Sequence, residues 1–267
     1  MKAKIFLWLT FLMLSSSVNA DDFVTLVSPA AGALQLTDEA LMATKLRVKG
    51  HIDARDFQTL KRVTINRTRV LDLSEAVIET YKGYGCYADI GSDIFIRDIV
   101  IDYAANVLPQ HAFVEARDNS LSKWREGSAT LRELILPKTL LGISSGALQD
   151  CMMLTKVYTK EGSELYTEDD AIIYSKDRKH LLRVAPAYTG GLNIDAAVTT
   201  VDSCALESVK LGYIRFNSAK MPVLKGASLI DAAYMVAENV DECKALFPNI
   251  DCVEHPGSDR RRAELCV

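Results

Sequence analysis

The sequence contains little that would support catalysis or metal binding. It has only four histidines in 267 residues, and none lies at the spacing of an H-x-x-x-H or H-E-x-x-H zinc site. It has no CxxC pair, and only 7% of its residues are aromatic. Gly83-Tyr84-Gly85 lacks the third glycine of a nucleotide-binding loop. We therefore expect no metal, no cofactor and no catalytic residue, and a core of small and aliphatic side chains.

After the first twenty residues the sequence also lacks any apolar run of the ~20 residues that a membrane span requires. Residues 1–20 are organised like a secretory signal. Lys2 and Lys4 precede an apolar run over 5–14, and Val18-Asn19-Ala20 resembles a cleavage site. That run is too short for a membrane anchor, and no cysteine follows Ala20 as it would in a bacterial lipoprotein. We expect export, cleavage after Ala20 and a periplasmic, cell-surface or extracellular location.

The composition indicates a folded protein that does not bind nucleic acid. The formal net charge of −4 argues against non-specific contacts with phosphate. The apolar content of 49% is too high for a disordered chain and is sufficient for a sizeable core.

The six cysteines are irregularly spaced, and in an exported protein they are free to form disulfides. Six cysteines allow 15 connectivities, and the sequence selects none of them. Cys243 and Cys252 are only nine positions apart and are the best candidates for a disulfide. Cys151 and Cys204 lie inside repeat units, where we expect them to act as small buried hydrophobic side chains.

The clearest pattern is an internal repeat. The segment 131–148 reads LRELILPKTLLGISSGAL, and 192–206 reads LNIDAAVTTVDSCAL. At a single offset of 58 residues, Leu134, Leu136, Ile143, Ala147 and Leu148 align with Leu192, Ile194, Val201, Ala205 and Leu206. A fixed spacing of small and aliphatic residues is typical of stacked structural units that bury their apolar edges against one another.

Shorter offsets give the size of the unit. Leu46-Arg47-Val48 and Leu71-Asp72-Leu73 are 25 residues apart, with Ile52 and Val77 following at the same offset, and Leu134 aligns with Val157 at 23. These periods are in the range of leucine-rich repeats. We predict short strands joined by turns, with a helix over 54–63 capped by Asp53. The pattern should resume at 99–101 after a first insert.

The predicted organisation has a lead-in and one repeat region. The lead-in is 21–39, the solenoid is 40–254, and the flexible tail is 255–267. Inserts are expected near 79–96, 116–128 and 169–186, the last as a β-hairpin because two apolar runs flank a polar turn. Asn239-x-x-Glu242 predicts the start of a C-terminal capping helix that ends before Pro248.

The repeat resembles the BspA-like leucine-rich repeat family of exported Bacteroidetes proteins. Leu131 to Val157 fits the family unit, including Leu136-Pro137 and Cys151, although Leu148 and Leu206 replace its usual phenylalanine. The resemblance covers about residues 40 to 254. It implies an irregular right-handed solenoid of short parallel strands in a secreted or surface protein that binds other proteins. It carries no catalytic residue over to this chain.

Tyr81, Tyr84 and Tyr87 form the candidate ligand-binding site, because tyrosine is enriched at interfaces. The alternative is that the three rings cover one end or flank of the solenoid. For the whole chain we favour a non-enzymatic exported protein that binds a protein or glycan partner on a host or bacterial surface. A structural spacer of the cell envelope is the second hypothesis, and a hydrolase with a site in the inserted loops is the least favoured.

Overall fold

The computed structural model describes residues 22–87, 100–118, 123–218, 220–225 and 230–254. The expected signal sequence 1–20, the tail 255–267 and parts of the first two inserts lie outside these ranges. Within them, each helix is too short or too polar to cross a bilayer.

Most of the regular elements in the described chain are short strands. The helices are α1 (Asp38–Met42), α2 (Ala54–Thr64) and α3 (Val240–Leu246). The strands are β1 (Val24–Ser28), β2 (Lys45–Ile52), β3 (Val70–Ile78), β4 (Tyr81–Gly83), β5 (Ile101–Tyr103), β6 (Val107–Leu108), β7 (Val114–Asp118), β8 (Lys123–Gly127), β9 (Glu133–Ile135), β10 (Gly142–Ile143), β11 (Lys156–Tyr158), β12 (Leu165–Glu168), β13 (Ile172–Ser175), β14 (His180–Val184), β15 (Gly191–Ile194), β16 (Thr200–Val201), β17 (Lys210–Phe216), β18 (Val223–Leu224), β19 (Asp231–Ala237) and β20 (Asp251–Glu254).

Successive coils stack their first strands into parallel sheets. The order β1-β2-β3-β9-β11 forms a five-stranded sheet, and β15-β17-β19-β20 forms a four-stranded sheet. Every pairing in these two sheets is parallel. The predicted solenoid of short parallel strands is confirmed.

The predicted hairpin between the two best repeat copies is also confirmed. Strands β13 and β14 pair antiparallel, and β14 then pairs parallel with β16 of the next coil. Arg183 in β14 is 1% exposed. Its guanidinium donates to the carbonyls of Leu148, Cys204 and Glu207. It thereby satisfies backbone groups of the coils on both sides of the insert, which would otherwise be buried without partners.

One continuous core runs through the coils. Leu134 and Leu192 are both fully buried in it, as are nearly all the other positions of the 58-residue repeat. The exception, Ile143, is partly buried and packs against the same cluster. The aligned side chains therefore occupy successive levels of a shared interior, as the repeat predicts.

The 25-residue period holds only through the first half of its strands. Leu46 pairs with Leu71 as predicted, but Ile52 pairs with Ile78 rather than Val77. The register shifts between Arg47 and Lys49, where β3 has one residue more than β2. A constant sequence offset does not predict a β-bulge of this kind, because apolar and polar residues still alternate on each side of the inserted residue.

The first two inserts are more regular than predicted. Tyr81–Gly83, within the insert predicted near 79–96, is β4 and pairs antiparallel with β5. The strand expected at 99–101 is thus a hairpin strand at 101–103 rather than a rung of the solenoid. The insert predicted near 116–128 contains most of a second pair of antiparallel strands, β7 and β8.

Both predicted helices are present, with their predicted caps. The Asp53 side chain accepts from the backbone N–H of Arg55 before α2. Phe57, Leu60 and Val63 of that helix enter the core. At the C-terminus Asn239 Oδ1 accepts from the N–H of Glu242, and α3 ends before Pro248. A disulfide joins Cys243 of α3 to Cys252 of β20, with 6.2 Å between the Cα atoms.

Candidate binding surface

The outward side of the two parallel sheets is an extended surface of the solenoid. Residues paired across neighbouring strands form rows, and successive rows alternate between core and solvent. In the five-stranded sheet one outward row contains Arg47, Asp72, Ile135 and Tyr158. In the four-stranded sheet the corresponding row contains Asn193, Arg215, Val236 and Val253.

Charges on the N-terminal half of this side neutralise one another. Asp72 is fully buried, and its carboxylate accepts from Arg47 Nε, Lys160 Nζ and the Ser74 backbone N–H, each at 2.9 Å. Burial by itself raises the pKa of Asp72. The hydrogen bonds from Lys160, Ser74 and Arg47 together outweigh it and hold the pKa at about 2. Lys49 and Glu75 form another pair at 2.9 Å.

The C-terminal half is aromatic instead. Tyr213 and Tyr234 are direct partners in β17 and β19, and their rings stack with 5.8 Å between centroids and 27° between planes. On the other neighbouring strand, β15, the residue paired with Tyr213 is Gly191, and a Cβ at that position would overlap the Tyr213 ring. The glycine thus lets Tyr213 lie against the backbone of β15. Tyr234 remains 40% exposed, which leaves an open aromatic surface.

Arg215 lies beside these rings. Its Cζ is 6.0 Å from the centroid of the Tyr213 ring, at the outer limit of a cation–π contact. Its neighbours in the row are Asn193 and Val236, and neither carries a charge. We call Gly191, Tyr213, Arg215 and Tyr234 the tyrosine face. Tyr188 flanks it and donates from its hydroxyl to the Gly191 carbonyl at 3.2 Å.

The three tyrosines singled out from the sequence do not form one site in the described structure. Tyr81 stacks on Tyr103 at 6.1 Å and lies under the guanidinium of Arg55 at 4.6 Å, so it is packed. Tyr84 is 40% exposed, and its carbonyl accepts from the Tyr103 hydroxyl. Tyr87 ends a short 3₁₀ turn, and its side chain is outside the described part of the chain. A role for Tyr84 in binding stays a prediction.

Sequence reasoning missed the tyrosine face because its members are separated by buried residues. A signal was nevertheless present. Tyr213 and Tyr234 are 21 residues apart, close to the repeat period, and each precedes a core residue, Ile214 or Met235. An alignment on the core residues Ile214 and Met235, rather than on the 23- or 25-residue offsets, places the two tyrosines side by side.

Two buried cysteines, Cys86 and Cys151, are packed in the core of the described coils. Burial raises the pKa of Cys86 to about 12 and that of Cys151 to about 11, so neither thiol ionises readily. The letters G-x-S-x-G do occur, at 142–146. There Gly142–Ile143 is a two-residue strand, and the residues after it form a turn. A hydrolase nucleophile in this motif lies between a strand and a helix, so the structure at 142–146 differs from that arrangement.

Parallel strands in register, one shared core and an outward sheet surface define a solenoid of parallel strands, and its offsets of 23 and 25 residues are in the range of leucine-rich repeats. Among solved structures, a leucine-rich repeat protein from Eubacterium ventriosum is similar to 82% of this chain, with 12% identity and a TM-score of 0.42. The chain spans 62% of the length of that protein. No family model and no curated protein matches the sequence. The class therefore rests on strand register and on the core.

Proposed function

We propose that this chain is an exported repeat protein that binds a partner protein through the tyrosine face. The observation that carries the proposal is the open stack of Tyr213 and Tyr234, in contrast to the paired charges on the N-terminal half of the sheet surface. Tyrosine provides a large contact area at low cost in conformational entropy, and binding energy concentrates at such anchors. A solenoid presents anchors of this kind on a rigid, extended support.

Export and family membership are parts of the same proposal. The support for export is the signal-like organisation of residues 1–20. The support for a BspA-like assignment is the fit of residues 131–157 to that family's unit, together with the hairpin at 172–184. Secretion of the chain with cleavage after Ala20, detected by mass spectrometry of the mature N-terminus, tests the first part.

Two equally exposed tyrosines provide a direct test of the surface. Tyr84 and Tyr234 are both 40% exposed, but only Tyr234 belongs to the tyrosine face. We expect Tyr234→Ala and Tyr213→Ala to weaken capture of partner proteins from a surface-protein extract by about tenfold or more, as for an anchor residue. Tyr84→Ala is the matched control.

The result separates three outcomes. Loss of capture on changing Tyr213 or Tyr234 alone supports the tyrosine face. Loss of capture on changing Tyr84 alone would place the site in the first insert, near 79–96. Capture that no tyrosine substitution affects contradicts binding through either cluster and favours the spacer function, to which the paired charges of the N-terminal half are also suited.

A further inference from the structure

We infer that Arg215 binds a carboxylate of the partner, so that the tyrosine face recognises a peptide segment with an acidic side chain next to an apolar one. This inference rests on the proposed function and specifies its ligand. It follows from a comparison of two arginines in corresponding outward rows of the solenoid, Arg47 and Arg215.

Arg47 has a counter-charge on the next strand. Its partner in β3 is Asp72, and Arg47 Nε donates to that carboxylate at 2.9 Å. The same carboxylate also binds Lys160. Arg47 of the N-terminal row and Lys160, which lies after β11, thus surround one buried anion, and each has its counter-charge within the fold.

Arg215 has an apolar neighbour where Arg47 has its aspartate. Its partner in β19 is Val236, which is only 4% exposed although it faces outward. Among the described residues no carboxylate lies within ion-pair distance of Arg215. Its Nε is buried and has no hydrogen-bond partner in the same part of the structure. An acceptor from another molecule would reach the two terminal nitrogens of Arg215, which are not among the buried atoms and have no partner among the described residues.

The surroundings select the kind of acceptor. Guanidinium groups pair with planar carboxylates through two parallel hydrogen bonds. Tyr213 and Tyr234 border the group on one side, and the exposed Val253 lies two strands along the same row. An aspartate or glutamate flanked by an aliphatic or aromatic residue would satisfy Arg215 and cover the exposed apolar area at once. The positive charge of Arg215 is a local feature of the tyrosine face, because the chain as a whole has a net charge of −4.

A display library of random linear peptides, panned on the purified chain, tests this inference. We expect enrichment of sequences with an acidic residue beside an apolar one. For the selected peptides, replacing Asp by Asn or Glu by Gln in the peptide should weaken binding about tenfold, as should Arg215→Gln in the protein. Arg215→Lys should restore binding only in part, because lysine keeps the charge and loses the fork geometry. Lys156→Gln removes a cation from the other half of the surface and is the matched control.

The outcomes test the acidic ligand separately from the proposed binding of a partner protein through the tyrosine face. Two results would overturn the inference of an acidic ligand and leave the tyrosine face intact. In the first, the selected peptides need Tyr213 and Tyr234 but contain no acidic residue. In the second, they bind the Arg215→Gln variant as tightly as the parent chain. Failure to select any peptide that depends on Tyr213 or Tyr234 overturns both. Binding of glycans instead of peptides on a glycan array, abolished by Tyr234→Ala, also overturns the acidic peptide. Because the peptide substitutions leave the protein unaltered, a misfolded Arg215 variant would not block the test.

Discussion

Lys160 donates from Nζ to the Asp72 carboxylate at 2.9 Å and to the Ser74 hydroxyl at 3.0 Å, although the two acceptors lie 88 and 86 positions earlier in the chain. The contact joins the segment after β11 to the bulged part of β3. It places a second cation beside a carboxylate that Arg47 already binds. The charges of the N-terminal half of the outward surface are therefore paired with one another, whereas in the C-terminal half Arg215 has no counter-charge among the residues that the structure describes.

Replacing Lys160 should destabilise the fold more than replacing an ordinary surface lysine. We expect Lys160→Gln to cost about 1–2 kcal/mol in the free energy of unfolding, because it removes one charged donor from a buried acceptor and part of the ammonium remains solvated. Lys176 pairs with Glu164 at 3.2 Å with both side chains at least half exposed, so Lys176→Gln should cost below about 0.5 kcal/mol. Urea unfolding measures both. Equal losses in the free energy of unfolding would show that Lys160 stabilises the fold no more than an exposed surface lysine does.

The low pKa of Asp72 predicts a specific acid sensitivity. The folded-state pKa is about 2 against an ordinary value of 3.8, so the unfolded chain binds the proton more tightly. The stabilisation is therefore complete above about pH 4 and is lost as the pH falls toward 2, and it amounts to about 2 kcal/mol. Unfolding of the parent chain and of Asp72→Asn, measured across this range, should show a shallower pH dependence for the variant. Parallel profiles would contradict the assignment.

The shared core predicts a large effect at Leu136. This side chain is fully buried, so Leu136→Ala should lower the free energy of unfolding by about 2–5 kcal/mol through lost burial and a cavity. Leu141 is 59% exposed, and Leu141→Ala should cost less than about 0.5 kcal/mol. Denaturation midpoints provide the comparison. A loss at Leu136 within error of that at Leu141 would place Leu136 outside the core.

The disulfide predicts a redox-dependent stability. Cys243 and Cys252 are nine residues apart, and closing a loop of this length contributes about 2–3 kcal/mol in the chain-entropy account. Adding a reductant should lower the unfolding midpoint of the parent chain and should leave that of a Cys243→Ser, Cys252→Ser double variant unchanged. Peptide mapping without reduction should recover the two cysteines in one linked fragment. Recovery of both as separate thiols would refute the pairing.

Sequence patterns predicted the features that depend on local spacing. The 58-residue repeat identified Leu134 and Leu192 as members of one interior, and both are fully buried there. Asp53 and Asn239 predicted the starts of two helices, because a capping side chain bonds to backbone only two or three residues away. The hairpin at 172–184 was predictable for the same reason, since its strands and turn are contiguous.

The candidate site was not predictable in this way. Tyr81, Tyr84 and Tyr87 are close in sequence, yet Tyr81 stacks on Tyr103 while Tyr84 stays exposed. Tyr213 and Tyr234 are far apart in sequence, yet they meet because β17 and β19 pair in register. A bulge or an inserted hairpin shifts such registers without leaving a clear trace in the spacing.

The amino-acid sequence by itself determined that this chain stacks short parallel strands around an aliphatic interior, because periodic burial is encoded residue by residue. Only the tertiary structure decided which outward side chains became neighbours. It placed Asp72 beside Arg47 and Lys160, and it placed Val236 beside Arg215. The physical reason is that strand register sets cross-strand contacts, and that register is established by the packing of whole coils.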